Sequence, residues 1–189
     1  MLKAEIRKSY KEKRKFVSPF DLNRISKSIT QSVLNQFDFR NKCVSIFFPI
    51  EKQKEISTYE LVEEIQARGG IIAVSKSDFT TQTLTHFKYE NVLQLEVNAF
   101  GIPEPKYGEP IFDVQLDYVF VPLLAVDKHG NRVGYGKGFY DKLLAACSPN
   151  CVFIGLHLFE EFVEIDDLYP GDIPLHYCIT PTQLHDFRR

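Results

Sequence analysis

The sequence predicts an α/β fold of three layers, with a central, mostly parallel, twisted sheet and helices on both faces. Short apolar runs rich in β-branched and aromatic residues alternate with segments that carry helix caps and a 3.6-residue apolar stripe, the pattern of a parallel sheet covered on both sides. Four of the ten glycines fall between Gly130 and Gly138, between the strongest strand-like run and a helix-like one, and ligands of open α/β sheets sit beyond such strand ends. With 189 residues, 44% of them hydrophobic and 25% charged, the chain can bury one core and is expected to form a single domain over residues 1–189.

The first element reads as a basic helix. Residues 1–15 hold seven Lys or Arg against two acids, although the whole chain has a net charge of −2, so the remainder is acidic and a poor nucleic-acid surface. Lys3, Arg7, Lys11 and Arg14 recur at helical spacing and form one positive face, either solvated or turned towards an anion. An RNA contact through this arm is a third reading, opposed by the acidic remainder.

In "SPFDLNRISKSITQSVLNQF" Ser18 stands as N-cap, Pro19 at the first helical position and Asp21 in the capping-box place, ahead of the stripe Leu22, Ile25, Ile29, Val33 and Leu34. "CVSIFFPI" reads as a buried strand, followed by the polar loop "EKQKE". The next helix lies in "STYELVEEIQARGG", with a capping box of Ser57 and Glu60 and with Gly69 as its stop. "GIIAVS" is a short strand, "LTHFKY" a weaker alternating one, and "NAFGIPEPKYGEP" a loop over the surface. "LDYVFVPLLAV" is the longest strand-like run and "FYDKLLAAC" the helix after the glycines. "CVFIGLHL" and "YCIT" supply two late strands around a short "FEEFV" element.

Several function classes fall away. Cys43, Cys147, Cys151 and Cys178 show neither a CxxC pair nor a secreted disulfide framework, so they are expected reduced and buried; the four-residue spacing of Cys147 and Cys151 has no neighbouring His or Cys to complete a metal set. The basic N-terminus lacks an apolar segment and does not read as a secretory signal, and "YVFVPLLAV" is too short for a membrane span. The expectation is a cytoplasmic protein that contacts neither membrane nor nucleic acid. Phe and Tyr total 25 without any Trp, so rings fill the core or line a site. His129, His157 and His176 are read as structural groups.

The glycine stretch carries the chemistry. In "GNRVGYGKGFYD", Gly134, Gly136 and Gly138 alternate with Tyr135, Lys137 and Phe139, so every second residue is free to take positive φ and bring backbone close to a ligand. Successive amides leading onto a helix N-terminus converge on an anion, phosphate above all. Arg132 and Lys137 add positive charge, and Asp141 in the first helical turn could hold magnesium beside a polyphosphate. The pattern is neither GxxxxGK[ST] nor GxGxxG. The competing reading is a tight strand-to-helix crossover that needs glycine for packing alone.

"DKHGNRVGYGKGFYDKLL" resembles the hallmark segment of the 5-formyltetrahydrofolate cyclo-ligase family, also called methenyltetrahydrofolate synthetase. Lys3 with Arg7, "FFPIEKQKEIST" with its Glu ahead of a Thr-capped helix, "GIPEP", and Asp172 in "PGDIPLHYCIT" extend the similarity from residue 3 to about 180. The resemblance implies an ATP- and magnesium-dependent closure of 5-formyltetrahydrofolate to 5,10-methenyltetrahydrofolate, with release of ADP and phosphate after phosphorylation of the formyl oxygen and attack by N10. It further implies nucleotide contacts at Lys3, Arg7, Arg132, Gly134, Tyr135, Gly136, Lys137, Gly138, Phe139 and Tyr140, with Lys137 and Arg132 acting in the chemistry. Asp141 and Asp172 would hold the metal, and Phe48, Glu55, Tyr135 and Phe139 the folate; a monomer is favoured.

Each of three residues also has a structural reading: Glu55 as a helix-terminus acid, Phe48 (with Phe47 or Ile50 as alternatives for its contact) as a core ring, and Asp172 as a turn residue. Where many members have proline after the strand matching "IIAVS" this chain has Ser75, Lys76 and Ser77, and where they read GGYYDR it reads GKGFYDK. Phe139 thereby lacks a hydroxyl and Lys142 replaces a bidentate Arg, but no phosphate or metal group is lost. A non-catalytic module that binds a nucleotide or a reduced folate is the alternative to an enzyme.

Overall fold

The structure is a computed structural model that describes residues 1–188. An eight-stranded sheet runs in the order β12-β11-β10-β7-β1-β2-β3-β6. Its centre is β2 (Ile71–Asp78), β1 (Cys43–Ser45), β7 (Tyr118–Pro122), β10 (Val152–Leu156) and β11 (Tyr177–Ile179), five strands paired in parallel. Antiparallel strands close the edges: β3 (Thr83–Tyr89) and β6 (Pro110–Ile111) on one side, β12 (Leu184–Asp186) on the other. The mostly parallel three-layer reading therefore holds for the central strands.

Side chains of β7 and β10 alternate between the two faces. Phe120 and Ile154 pack beneath α2 (Pro19–Gln36) and α3 (Tyr59–Ala67), with Ile29, Val33, Leu61 and Ile65. Val119, Val121 and Phe153 face the other way, against Leu143 and Leu144 of α4 (Phe139–Ala146). The period of two in a strand and the stripe of a helix thus meet on both faces, each fully buried Leu, Ile or Phe contributing about 2 kcal/mol. Helix α1 (Lys3–Lys15) sits at the end of the sheet, where Ile6 and Tyr10 pack on a hairpin of β8 (Ala125–Val126) and β9 (Arg132–Val133).

The N-cap of α2 is as read, with the Ser18 hydroxyl accepting from the Asp21 amide at 3.0 Å and Pro19 at the first position, but the capping box is not completed, since the Asp21 carboxylate accepts from the Ser18 hydroxyl at 2.7 Å. Gly69 ends α3 in the left-handed region at φ +86°. Four other expectations need correction. The Ser57–Glu60 capping box does not form, because the Ser57 amide donates to Ser26 Oγ at 2.9 Å and the helix starts one residue later. Thr58 stands at that cap, but its hydroxyl donates to the Phe47 carbonyl and so ties the helix to the end of β1. "NAFGIPEPKYGEP" is only partly a surface loop: β5 (Pro103–Pro105) is buried and pairs with β4 (Leu95–Val97), and Glu104 accepts from the Ser77 amide at 2.8 Å. "FEEFV" forms no regular element. All four cysteines are free, Cys151 and Cys178 buried, Cys43 and Cys147 only partly so.

No helix among the described residues is long and apolar enough to cross a membrane. From β1 the chain proceeds to β2 on one side, and β7 enters on the other, so strand order reverses between β1 and β7. A crevice at such a reversal, beyond the carboxyl ends of the strands, is where open α/β sheets bind ligands.

Candidate active site

A cavity of about 440 Å³ opens at that reversal, floored by Phe47 and Phe48 after β1, Val74, Ser75 and Ser77 of β2, and Pro122 at the end of β7. Its volume is that of a small-molecule site. All fourteen residues singled out in the sequence line it. A second, wider cavity of about 540 Å³, lined by His129, His176 and Phe187, lies elsewhere and contains none of them.

The glycine segment is built from its flanking turn. The buried Asp127 carboxylate accepts from the amides of His129 (2.8 Å) and Asn131 (2.9 Å) and from Asn131 Nδ2 (2.8 Å), which folds the β8–β9 hairpin back and aims Arg132 at the cavity. Gly136 and Gly138 take φ +87° and +74°, conformations costly for a side-chain-bearing residue. Gly134 does not, so the expected alternation of positive φ holds at two of the three glycines. Gly138 is the N-cap of α4. Among the described residues, the amides from Tyr135 to Gly138 donate to no carbonyl or side chain. They form a row of free donors at a helix N-terminus, which is the requirement for holding a phosphate group.

Helix α1 closes one side. Its positive stripe is solvated only in part: Lys3 and Arg14 are buried, Arg7 is half-buried and Lys11 exposed, and each has a partner in the site. Lys3 Nζ donates to Asp172, Arg7 Nε to the Gly134 carbonyl at 3.0 Å, and Lys11 Nζ lies 5.6 Å from the centre of the Tyr135 ring. Arg14 Nη1 donates to the Tyr135 hydroxyl at 3.0 Å and Nη2 to the Leu123 carbonyl at 2.6 Å. The remaining cations of α1, Lys8, Lys13 and Lys15, stay exposed like Lys11.

The two acids meet through consecutive residues. Asp141 Oδ1 accepts from Arg132 Nη2 at 2.7 Å and from the Ile173 amide at 3.3 Å, while Asp172 accepts from Lys3 and from the Tyr169 amide at 2.7 Å. Burial pushes the Arg132 pKa down and the Asp141 charge opposes this; a guanidinium keeps its proton in such a place. Among the described residues no three His, Cys, Asp or Glu side chains gather into a complete metal cage. Two carboxylates beside a phosphate seat do fit magnesium, which takes one or two protein carboxylates and completes its shell with phosphate oxygens and water.

On the opposite wall Glu55 is buried and doubly held. Its Oε2 accepts from the Ile50 amide at 2.7 Å and its Oε1 from the Tyr135 hydroxyl at 2.6 Å. Burial raises its pKa, and the Ile50 amide, the Tyr135 hydroxyl and the charge of Arg14 all pull against that rise. It is therefore more than a helix-terminus acid. Phe48 lines the cavity, yet only 2% of it is exposed, since its ring is wedged 4.7 Å from Tyr59 and 5.1 Å from Tyr89. It is a core ring whose edge forms part of the wall.

Sequence reasoning missed the mouth. Phe79, in the turn between β2 and β3, stacks on Phe100 at 4.2 Å and meets the edge of Phe139 at 5.2 Å. Phe100 follows directly on the Asn98–Ala99 turn ahead of "GIPEP", and an exposed aromatic beside a glycine and proline-rich loop was the available signal.

A family model for the 5-formyltetrahydrofolate cyclo-ligase family matches residues 1–169. The chain is 30% identical over 177 residues to the 5-formyltetrahydrofolate cyclo-ligase of Haemophilus influenzae, covering 90% of this chain and 93% of that protein, and 29% identical to the enzyme of the same name from Mus musculus over 77% of this chain and 74% of the other. The solution structure of 5,10-methenyltetrahydrofolate synthetase from Aquifex aeolicus superposes with a TM-score of 0.81 at 28% identity, over 100% of this chain and 94% of that one. The matched residues take in α1, the whole of the glycine segment and α4, and the chain belongs to the 5-formyltetrahydrofolate cyclo-ligase family.

Proposed function

We propose that this chain converts 5-formyltetrahydrofolate and ATP into 5,10-methenyltetrahydrofolate, ADP and phosphate. The observation that carries the reading is the row of free amides at Tyr135–Gly138, set opposite the buried Glu55 in one cavity. One side of the cavity suits a polyphosphate, the other the N–H groups of a pterin ring.

A formamide oxygen leaves poorly, so it must be activated. The formyl oxygen attacks the γ-phosphorus and the bond to the ADP oxygen breaks. N10 then adds to the activated formyl carbon and loses its proton, and the C–O bond to phosphate breaks, leaving the methenyl carbon bonded to both nitrogens. Phosphoryl transfer of this kind depends on positioning and on charge neutralisation. The amides of residues 135–138 cradle the phosphates, Lys3 and Arg7 contact them from α1, and Lys137, exposed in the segment, reaches the transferred group. Arg132 neutralises charge from beneath and keeps Asp141 in place. Gly134, Phe139 and Tyr140 complete the nucleotide wall. Magnesium held by Asp141 and Asp172 would supply further neutralisation of the phosphates.

Glu55 accepts from the pterin, with Phe48, Tyr135 and Phe139 against its ring. The reading includes a cytoplasmic monomer that acts on a small molecule. Purified protein given ATP, magnesium and 5-formyltetrahydrofolate is expected to develop the near-ultraviolet absorbance of the methenyl product. Binding of both ligands by calorimetry with no product would instead establish the non-catalytic alternative.

A further inference from the structure

Tyr135 belongs to both halves of the site. Its backbone lies in the segment offered to the triphosphate: Arg7 Nε donates to the carbonyl before it, that of Gly134, at 3.0 Å, and the Arg7 guanidinium lies so close to Gly136 that a Cβ there would sit 3.1 Å away. Its side chain leaves that segment for the opposite wall, where the hydroxyl contacts Glu55 Oε1 at 2.6 Å and Arg14 Nη1 at 3.0 Å. An arginine can only donate. The hydroxyl therefore accepts from Arg14, and its own proton goes to Glu55.

The two ends of this chain of contacts differ in stiffness. Arg14 is 4% exposed and anchored on two backbone carbonyls, Leu123 at 2.6 Å and Gln53 at 3.2 Å. Glu55 is pinned on its other oxygen by the Ile50 amide. Tyr135, by contrast, lies between two glycines, and among the described residues its own amide and the next three have no protein partner. The segment is held by Arg7 on the Gly134 carbonyl and by the Tyr135 ring, which packs against the core around Ile6 and Val133 beneath Lys11, and a triphosphate bonded to the free amides would remove the freedom that remains.

We infer that Tyr135 is a positioning residue that couples the two ligands: nucleotide bound at residues 135–138 fixes the tyrosine, the tyrosine holds Glu55 as an acceptor for pterin N–H groups, and each ligand thereby tightens the other. Arg14 is the anchor of the device, since it leaves the hydroxyl one direction in which to donate. The inference rests on the functional reading above, and it adds a residue pair that the cyclisation chemistry itself does not use.

The test measures binding without turnover. Dissociation constants for 5-formyltetrahydrofolate are determined with and without a non-hydrolysable ATP analogue, and those for the analogue with and without the folate. In the wild-type chain each ligand is expected to tighten the other by the same factor, about 5- to 50-fold, because coupling is reciprocal. In Tyr135→Phe, whatever its affinity for each ligand alone, the factor by which one ligand tightens the other should fall to about 1. Arg14→Lys, which keeps a charge and a donor, should retain part of the coupling but not all of it.

A wild-type chain that binds both ligands independently overturns the inference and leaves the cyclisation reading standing. So does full coupling in Tyr135→Phe, or in Arg14→Lys should the first variant not fold. A well-folded wild-type chain that binds neither ligand removes both the inference and the reading beneath it.

Discussion

Arg132 Nη2 lies 2.7 Å from Asp141 Oδ1, joining the short strand β9 to the first turn of α4, while the other terminal nitrogen of the same guanidinium donates to the Ile173 carbonyl. One planar group therefore fixes three things: the helix N-terminus, the segment that carries Asp172, and the glycines between β9 and α4. Its side chain is 6% exposed. Arg132→Lys keeps the charge but loses the rigid fork whose two terminal nitrogens reach the two acceptors at once. The expected result is a fall of about 100-fold or more in kcat/KM for ATP, together with a stability loss of about 1–3 kcal/mol from the acceptor left unpaired. Turnover and urea midpoints on the same preparation measure the two effects.

The glycines separate strain from ligand approach. At Gly136 a side chain meets both a left-handed backbone and the Arg7 guanidinium at 3.1 Å; at Gly134 it meets neither a positive φ nor any atom within 4 Å. Gly136→Ala should cost about 1–2 kcal/mol of stability and raise the KM for ATP, whereas Gly134→Ala should leave stability within about 0.5 kcal/mol. If Gly134→Ala nonetheless raises the KM for ATP by about tenfold, the nucleotide passes within contact distance of that backbone. Equal melting temperatures for the two variants would show that the segment does not hold the conformation described.

Lys137 is exposed and makes no ion pair among the described residues. Its removal therefore has little to take from the fold. Lys137→Ala should change the melting temperature by no more than about 2 °C and lower kcat about 100- to 1,000-fold, the magnitude typical of a charge aimed at a transferring phosphoryl group. Parallel losses of stability and kcat would assign the lysine a structural role instead.

How much of this was legible in the chain follows from how local each feature is. The α2 N-cap and its stripe lie within one stretch of sequence, and both appear as read. The Ser57 cap failed because Ser26, thirty-one positions away, captures the Ser57 amide; no local pattern holds that information. Glu104 sits in a segment whose prolines and glycines advertise a loop, yet its carboxylate is buried on the Ser77 amide, again a contact between distant positions. The glycine segment was legible because its chemistry is contiguous. That Lys3, Glu55 and Asp172 meet it came with the resemblance and not from spacing, since β1 and β7 bring them together only when the sheet forms. Phe79 and Phe100 escaped notice for the same reason: two rings twenty-one positions apart become one stack only after the β2–β3 hairpin turns towards the loop before β5.

The last expectation concerns acid stability. His157 is fully buried beside Tyr10 and Phe159, its Nε2 lies 3.3 Å from the Glu161 carbonyl, and its Nδ1 has no partner among the described residues. Burial pushes its pKa from 6.5 down to about 4, with the Arg14 charge acting in the same direction and the Glu161 carbonyl, Glu161 and Glu160 acting against it. The unfolded chain therefore takes up this proton first as pH falls. The stability tied to a neutral His157 is complete above about pH 7.5, begins to be lost near 6.5 and is gone by about 4, a change on the order of 3 kcal/mol. Replacing it by Gln keeps an N–H donor near the Glu161 carbonyl and removes the titration. His157→Gln should thus lose stability at pH 8 through poorer packing, but show a shallower decline between pH 6.5 and 4.5 than the wild-type chain. Urea unfolding at five or six pH values measures both slopes, and identical slopes would mean that His157 takes up its proton in the folded chain as readily as in the unfolded one.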